Sequence, residues 1–425
     1  MAGAGTGTLL IRHAAELASV AGPDAARAGA AQGQLELIPD GAVYCVGERI
    51  AAVGPTAEVL RAHPEAARAD TVLDASGRAV IPGLVDCHAH PVFAGDRSDE
   101  YAERLRGTPY LEILKRGGGI LKSVRLTRAA SHAELLAGLR ERLDRALALG
   151  TTTLEAKTGY GLDEATERKM LEVIRAANTG DDRHPVDLVP TLLHAHAVPQ
   201  GMTADQVVAE AVDATARLAP LAEYVDVFCE RGVFDVAQSR KVLEAGKRAG
   251  LKVKVHAEEL CLLGGAKLAA ELGGTSADHL CFTDDATLAA MRAAGTVAVF
   301  LPGTPFVLRM AYSDARRWIA AQVPVACATD LNPNCFCESL PFVFTLSVYE
   351  MKMTPAEALV AMTINAAAAL DRAHEIGSLK PGKLADVAIL NGPSYLHLGY
   401  HVGGNPVRTV VKRGRVVVRD GRLTA

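Results

Sequence analysis

The amino-acid sequence predicts an α/β protein: a (β/α)8 TIM-like barrel with a small β domain assembled from both ends of the chain. Three observations carry that reading. From about residue 79, short apolar runs recur eight times. Amphipathic stretches with helical periodicity separate most of them. Before and after this region, short β-type runs alternate with Gly and Pro turns.

The N-terminal strand candidates are 8–12, 42–46 and 50–53, punctuated by Gly47 and Gly54–Pro55. The apolar runs follow at 79–85, 151–156, 186–193, 224–228, 252–256, a weaker 276–280, 296–301 and 323–328. Helices are expected at 132–149, 163–178, 235–249 and 284–293. A buried strand followed directly by a helix is a parallel βα unit, and right-handed crossovers close eight such units into a barrel. Further helices are expected near 340–351 and 354–370, then strands at 386–390, 407–412 and 415–419. The two terminal sets of strands are each too small for a stable core, so they are expected to join. The expected domain bounds are 1–78 and 381–425 for the β domain and 79–380 for the barrel.

Composition narrows the function. At 425 residues, with 49% hydrophobic and 22% charged, the chain is an ordinary folded protein with ample core. A formal net charge of −4 suggests no nucleic-acid surface. The N-terminus lacks a basic region before an apolar run, and no run of 18 apolar residues occurs, so neither a leader nor a membrane span is expected. Eight cysteines are scattered without a CxxC pair, which fits reduced thiols in a cytoplasmic protein. Cys335 and Cys337 are adjacent enough to suggest redox or metal chemistry, but further ligands are missing nearby.

In a parallel barrel, functional side chains gather at the carboxyl ends of the strands. The first strand ends GLVDCHAH, where a spacing of two on a strand puts His88 and His90 on one face. The fifth ends KVHAEE, with His256 and Glu259; the sixth SADHL, with His279; the eighth ATDLNPN, with Asp330. Each alone is weak. Together they place polar groups where a packed core wants apolar ones, and a shared cation explains them jointly. Three His and one Asp suit a hydrolytic Zn or Fe site with room for a water.

The segments PGLVDCHAHPVFAGDR, EAKTGYGLD, HAHAVP, VHAEE, SADHL and ATDLNPN resemble the imidazolonepropionase family of the amidohydrolase superfamily, in order and spacing, from about 72 to 419. The resemblance implies a barrel, a β-sandwich from both termini, one Zn or Fe ion per subunit and a homodimer. By motif, it implies His88, His90, His256 and Asp330 as metal ligands, with Asp330, His279 and Glu259 as catalytic residues. It implies substrate contacts at Arg97, Tyr160, His196, Glu259, Asn332, Tyr110 and Asn334. The fourth-strand segment YVDVFCE has no lysine to bridge a second metal. Lys157 ends the second strand and is read as a structural or substrate-side salt bridge; His194 is read as structural.

Two residues divide the bottom-up reading from the motif. Arg97 in a loop would ordinarily be a solvated charge. Pleat alternation from His256 would turn Glu258 inward and Glu259 outward, unless the strand has already ended. Asn334–Cys335 departs from the Gly followed by Ser or Thr usual in bacterial members. The implied reaction is hydrolytic opening of 4-imidazolone-5-propanoate to N-formimidoyl-L-glutamate, with His279 or His196 at the oxyanion. Rival readings are an aminohydrolase acting on another heterocycle, or a non-catalytic scaffold on the same fold.

Overall fold

The computed structural model describes residues 7–108, 112–113 and 116–424. Tyr110, expected to touch substrate, lies outside the described residues. Among the described residues, seventeen strands form two sheets.

The eight barrel strands are β6 (Leu84–Asp86), β7 (Thr151–Lys157), β8 (Asp187–Ala195), β9 (Tyr224–Cys229), β10 (Lys252–Ala257), β11 (Ser276–His279), β12 (Val297–Phe300) and β13 (Val325–Cys327). They pair in sequence order, all parallel. The ring closes at its carboxyl end, where Ala89 bridges to Leu331. The Asp330 amide donates to the His88 carbonyl at 3.0 Å and the His90 amide to the Leu331 carbonyl at 2.8 Å. Below this, Thr329 donates to Asp86 through its amide at 3.1 Å and its hydroxyl at 2.6 Å.

The helices begin where short polar side chains can cap them. Asp163, Asp235 and Asp284, read as first helical residues, are instead the caps of helices Glu164–Asn178, Val236–Arg248 and Asp285–Ala294. Each carboxylate accepts an amide of the first turn. Helix His132–Ala148 starts with a capping box between Ser131 and Glu134. The stretch 354–370, expected as one helix, is two, Pro355–Ala361 and Ile364–Ala369. Thr363 leaves the helical region between them, at φ −126° and ψ −96°.

The second sheet is mixed and built from both ends of the chain: β1 (Thr8–Ala18), β2 (Leu37–Val46), β3 (Arg49–Pro55), β4 (Thr71–Asp74), β5 (Ala79–Pro82), β14 (Val387–Leu390), β15 (Val407–Lys412), β16 (Arg415–Arg419) and β17 (Arg422–Leu423). β5 sits between β1 and β14 and so joins the N- and C-terminal sets. Leu9, Ile11, Val43, Val80, Val387, Ile389 and Val411 form a core of this unit's own.

The run 79–85 is therefore not one strand. Its first half belongs to the small sheet and its second half opens the barrel. The switch is at Gly83, whose amide donates to Asp386 while Leu84 donates to Gly150. A Cβ on Gly83 would come within 2.5 Å of the Thr152 side chain and 3.0 Å of its Cβ. Lys412 and Arg413 tie the small sheet to Asp187 at the start of β8, with contacts of 2.8 and 2.9 Å. The unit thus touches the amino-terminal end of that strand, away from the carboxyl ends.

No helix among the described residues is long and apolar enough to cross a membrane. All eight cysteines are unpaired thiols.

Because Gly83 lets two sheets share one segment, Gly83→Ala should destabilise the protein by about 1–3 kcal/mol through overpacking against Thr152. Equilibrium denaturant unfolding of both proteins measures this.

Candidate metal centre and active site

Three carboxyl-end segments bring His88, His90, His256 and Asp330 together. All four are nearly or wholly buried. Asp330 Oδ1 lies 3.6 Å from His88 Nε2 and 3.7 Å from His90 Nε2, and His90 Nε2 lies 3.2 Å from His256 Nε2. The Thr304 hydroxyl donates to the other Asp330 oxygen. His279 and His196 border the cluster: the His279 ring centroid is 5.2 Å from that of His256, and His196 stacks on His90 at 5.0 Å and 12°.

Beneath the ligands lies a charged floor in an otherwise apolar barrel. The His88 Nδ1–H donates to Asp278 Oδ2 at 2.6 Å, and Asp226 Oδ2 lies 2.8 Å from His256 Nδ1. Lys157 Nζ donates to Asp226 at 2.7 Å and to Glu155 at 3.0 Å, and sits 3.6 Å from Asp278. Lys254 Nζ donates to Glu155 and to the Cys87 carbonyl, each at 2.7 Å. Every one of these charged side chains is fully buried. Lys157 is thus a floor residue, not a substrate-side one. Despite burial, Asp226 is held well below the usual carboxylate range by His256 and Lys157. Burial, reinforced by the charge of Lys157, pushes His88 well below its ordinary value, keeping it a neutral ligand. Of the floor residues, Lys157 is singled out in the sequence as a salt bridge but Glu155, Asp226, Lys254 and Asp278 are not, although period two is a signal. Lys254 precedes His256 by two, and Glu155 precedes Lys157 by two, so each pair shares one face of its strand.

The expected substrate residues divide. Arg97 is only 6% exposed and its Nε donates to Glu100 at 2.7 Å, so it is not a solvated surface charge. Glu100 also accepts the Gly119 amide at 2.9 Å, anchoring the guanidinium to the loop. Tyr160 is buried with its ring 5.5 Å from His196 and 5.9 Å from His90. Its loop hangs on Glu167, whose carboxylate accepts the amides of Gly159, Gly161 and Leu162 at 2.8–3.0 Å. Gly159 has φ 103°, and a Cβ there would meet His196 Nδ1 at 2.7 Å, so only glycine fits.

His196 Nδ1 lies 3.0 Å from the Gly159 carbonyl. A carbonyl only accepts, so Nδ1 carries the proton and Nε2 is an acceptor. Burial drives its pKa down to about 3, keeping it neutral. An unprotonated Nε2 cannot donate to an oxyanion, which tells against the expectation of His196 in that role. His194 is buried, with neither ring nitrogen bonded to a described residue.

The strand β10 ends at Ala257, and Glu258 then adopts φ 53°. That left-handed turn breaks the pleat. Glu258 faces the next helix, accepting the amides of Gly264 and Ala266 at 2.8 and 3.0 Å, while Glu259 points toward His279, 3.8 Å away. Burial, followed by the charges of Asp330 and Glu230, pushes Glu259 up to about 8. Asn332 spends its amide within its own loop: it donates to the Asp330 carbonyl at 2.8 Å and accepts from the Asn334 and Cys335 amides at 2.7 and 2.9 Å. Asn334 Oδ1 is buried without a partner among the described residues.

Residues 230–417 match the amidohydrolase family, and residues 41–66 the imidazolonepropionase-like composite domain of bacteria. The imidazolonepropionase of Symbiobacterium thermophilum is 50% identical over 423 residues, covering 98% of both chains. The chain belongs to the imidazolonepropionase family. The enzyme of Haloarcula marismortui is also 50% identical, over 90% of this chain and 91% of its own. Among solved structures, a zinc-bound adenosine deaminase from Xanthomonas campestris shares the fold at a TM-score of 0.71 and 18% identity, covering 98% of this chain and 94% of that one. An N-isopropylammelide isopropylaminohydrolase from Burkholderia multivorans matches at 0.70 and 19%, covering 98% and 100%. At such identities the fold alone is shared, and the fold does not choose among these reactions.

For an imidazolonepropionase-family chain, the donor set fits a metal. His88 Nε2 is buried, has no hydrogen-bond partner among the described residues and faces the Asp330 carboxylate. Donor atoms of His88, His90 and Asp330 lie within 4.8 Å of one another, as do those of His88, His256 and His279 and of His90, His196 and His256.

A carboxylate that orients a ligand imidazole typically carries 10–100-fold of metal affinity. Asp278→Asn should weaken ion binding by about that factor, measured by competition with a chromophoric chelator.

Proposed function

We propose that this chain, a hydrolase of the imidazolonepropionase family, opens the ring of 4-imidazolone-5-propanoate to N-formimidoyl-L-glutamate. One water is added: its oxygen bonds to the ring carbonyl carbon, the bond from that carbon to the ring nitrogen breaks, and the nitrogen takes a proton. The observation that carries the reading is the convergence of His88, His90, His256 and Asp330, with the Tyr160 ring against His90 and His196.

His88, His90, His256 and Asp330 would hold one Zn or Fe ion, which supplies a Lewis acid for the carbonyl and makes a water more acidic. Asp330 takes a proton from the attacking water; burial raises its carboxyl above the usual range and makes it the better base. His279 orients the water and donates toward the carbonyl oxygen as charge develops there. Glu259, with a pKa near 8, is protonated at neutral pH and hands a proton to the leaving nitrogen. His196, an acceptor at Nε2, receives a ring N–H. Arg97 and Tyr160 hold the propionate, Tyr110 is a further carboxylate contact and Asn334 a further substrate contact. Asn332 shapes the loop around Asp330 and meets substrate through its remaining amide hydrogen. A reducing cytoplasm suits the unpaired thiols, and the working form is a homodimer.

Incubation with freshly prepared 4-imidazolone-5-propanoate should give a product heavier by one water, with no ammonia in a coupled assay. Stoichiometric ammonia, or turnover of guanine or cytosine with the imidazolone untouched, would move the protein to the aminohydrolases.

Breaking a desolvated charge pair costs on the order of 2–5 kcal/mol. Arg97→Ala should therefore lose roughly 30-fold or more in kcat/KM while retaining its ion. Parent-like turnover would remove Arg97 from the substrate side.

A further inference from the structure

Glu155 of β7, Asp226 of β9 and Asp278 of β11 gather around Lys157 directly under the ligand histidines His88 and His256. Donor atoms of Glu155, Asp278 and His88 lie within 4.8 Å of one another, a spacing that suits a second cation. That space is taken by the protein itself. Lys157 Nζ reaches Asp226 at 2.7 Å, Glu155 at 3.0 Å and Asp278 at 3.6 Å, and Lys254 Nζ reaches Glu155 at 2.7 Å. Two of these carboxylates also contact ligand imidazoles, Asp278 at His88 and Asp226 at His256.

We propose that Lys157 is a built-in cation plug: its ammonium occupies the place of a second divalent ion among Glu155, Asp226 and Asp278, limits the site to one metal and fixes two carboxylates as acceptors for His88 and His256. Lys157 is a positioning residue. It touches no first-ion ligand among the contacts above and acts through Asp226 and Asp278. The inference rests on the one-ion reading of the site and is independent of the substrate.

The charge arithmetic makes it testable. Three buried carboxylates face two ammoniums. Removing Lys157 leaves an excess of negative charge in a dry interior, which a divalent ion can neutralise and water cannot. Removing Glu155 as well restores the original balance without touching either carboxylate that holds a histidine.

The experiment compares metal-free parent, Lys157→Met and Lys157→Met/Glu155→Gln, each titrated with Co2+. The readouts are ions retained per chain after gel filtration and the visible Co2+ spectrum. The expected result is one ion for the parent, two for Lys157→Met with the second held more weakly, and one for the double variant. Lys157→Met that retains a single ion with the parent spectrum overturns the proposal, as does a double variant that still takes two. A parent that takes up none, or two, overturns the one-ion reading and the plug with it. If Lys157→Met is recovered only unfolded, refolding with excess Co2+ decides: recovery of folded protein supports the plug, and continued unfolding overturns it.

Discussion

Closure of the barrel at its carboxyl end is the constraint on which the site depends. The segment carrying His88 and His90 and the segment carrying Asp330 are each other's ladder partners, through the amides of Asp330 and His90. Two ligand-bearing segments from opposite ends of the barrel's sequence are thus brought into contact by the backbone itself. Asp86 and Thr329 lock the same seam one layer deeper. The first and last strands cannot part without separating the ligands, so site geometry and barrel integrity are one requirement.

The charged floor follows from that closure. Once β7, β9, β10 and β11 surround a narrow interior, inward side chains on one level have no access to water. Isolated charges there would be costly, and pairing alone does not make a buried ion pair favourable. These charges are stitched by several bonds apiece: Asp226 accepts from Lys157 and from the amides of Val227 and His256. Asp278 also accepts from the Ser276 hydroxyl at 2.6 Å. The result is a set of imidazoles whose proton positions are chosen from below, with Nε2 of His88 presented upward.

Much of this was legible in the chain. The HxH spacing, the strand-end His256 and Asp330, and the eightfold rhythm all report local periodicity, which is a property of neighbouring residues. Other features were not legible for stated reasons. Glu258 and Glu259 exchange the places that pleat alternation assigns, because Glu258 takes a left-handed turn that sequence periodicity does not encode. Arg97 looked like a loop charge until its contact with Glu100 buried it. The tautomer of His196 depends on Gly159, thirty-seven residues earlier. The division of 79–85 between two sheets depends on a steric limit at Gly83 set by Thr152.

By itself, the sequence determined the succession of buried strands and capped helices, the family and the donor types available to a cation. Those depend on composition, spacing and short-range hydrogen bonding. Only the tertiary structure decided which carboxylate stands behind which histidine, that Lys157 lies in the floor, that Asn332 serves its own loop, and which nitrogen of His196 carries the proton. Each of these is settled by contacts between segments remote in sequence, where burial removes water as a partner and leaves every polar atom to find its counterpart in the protein.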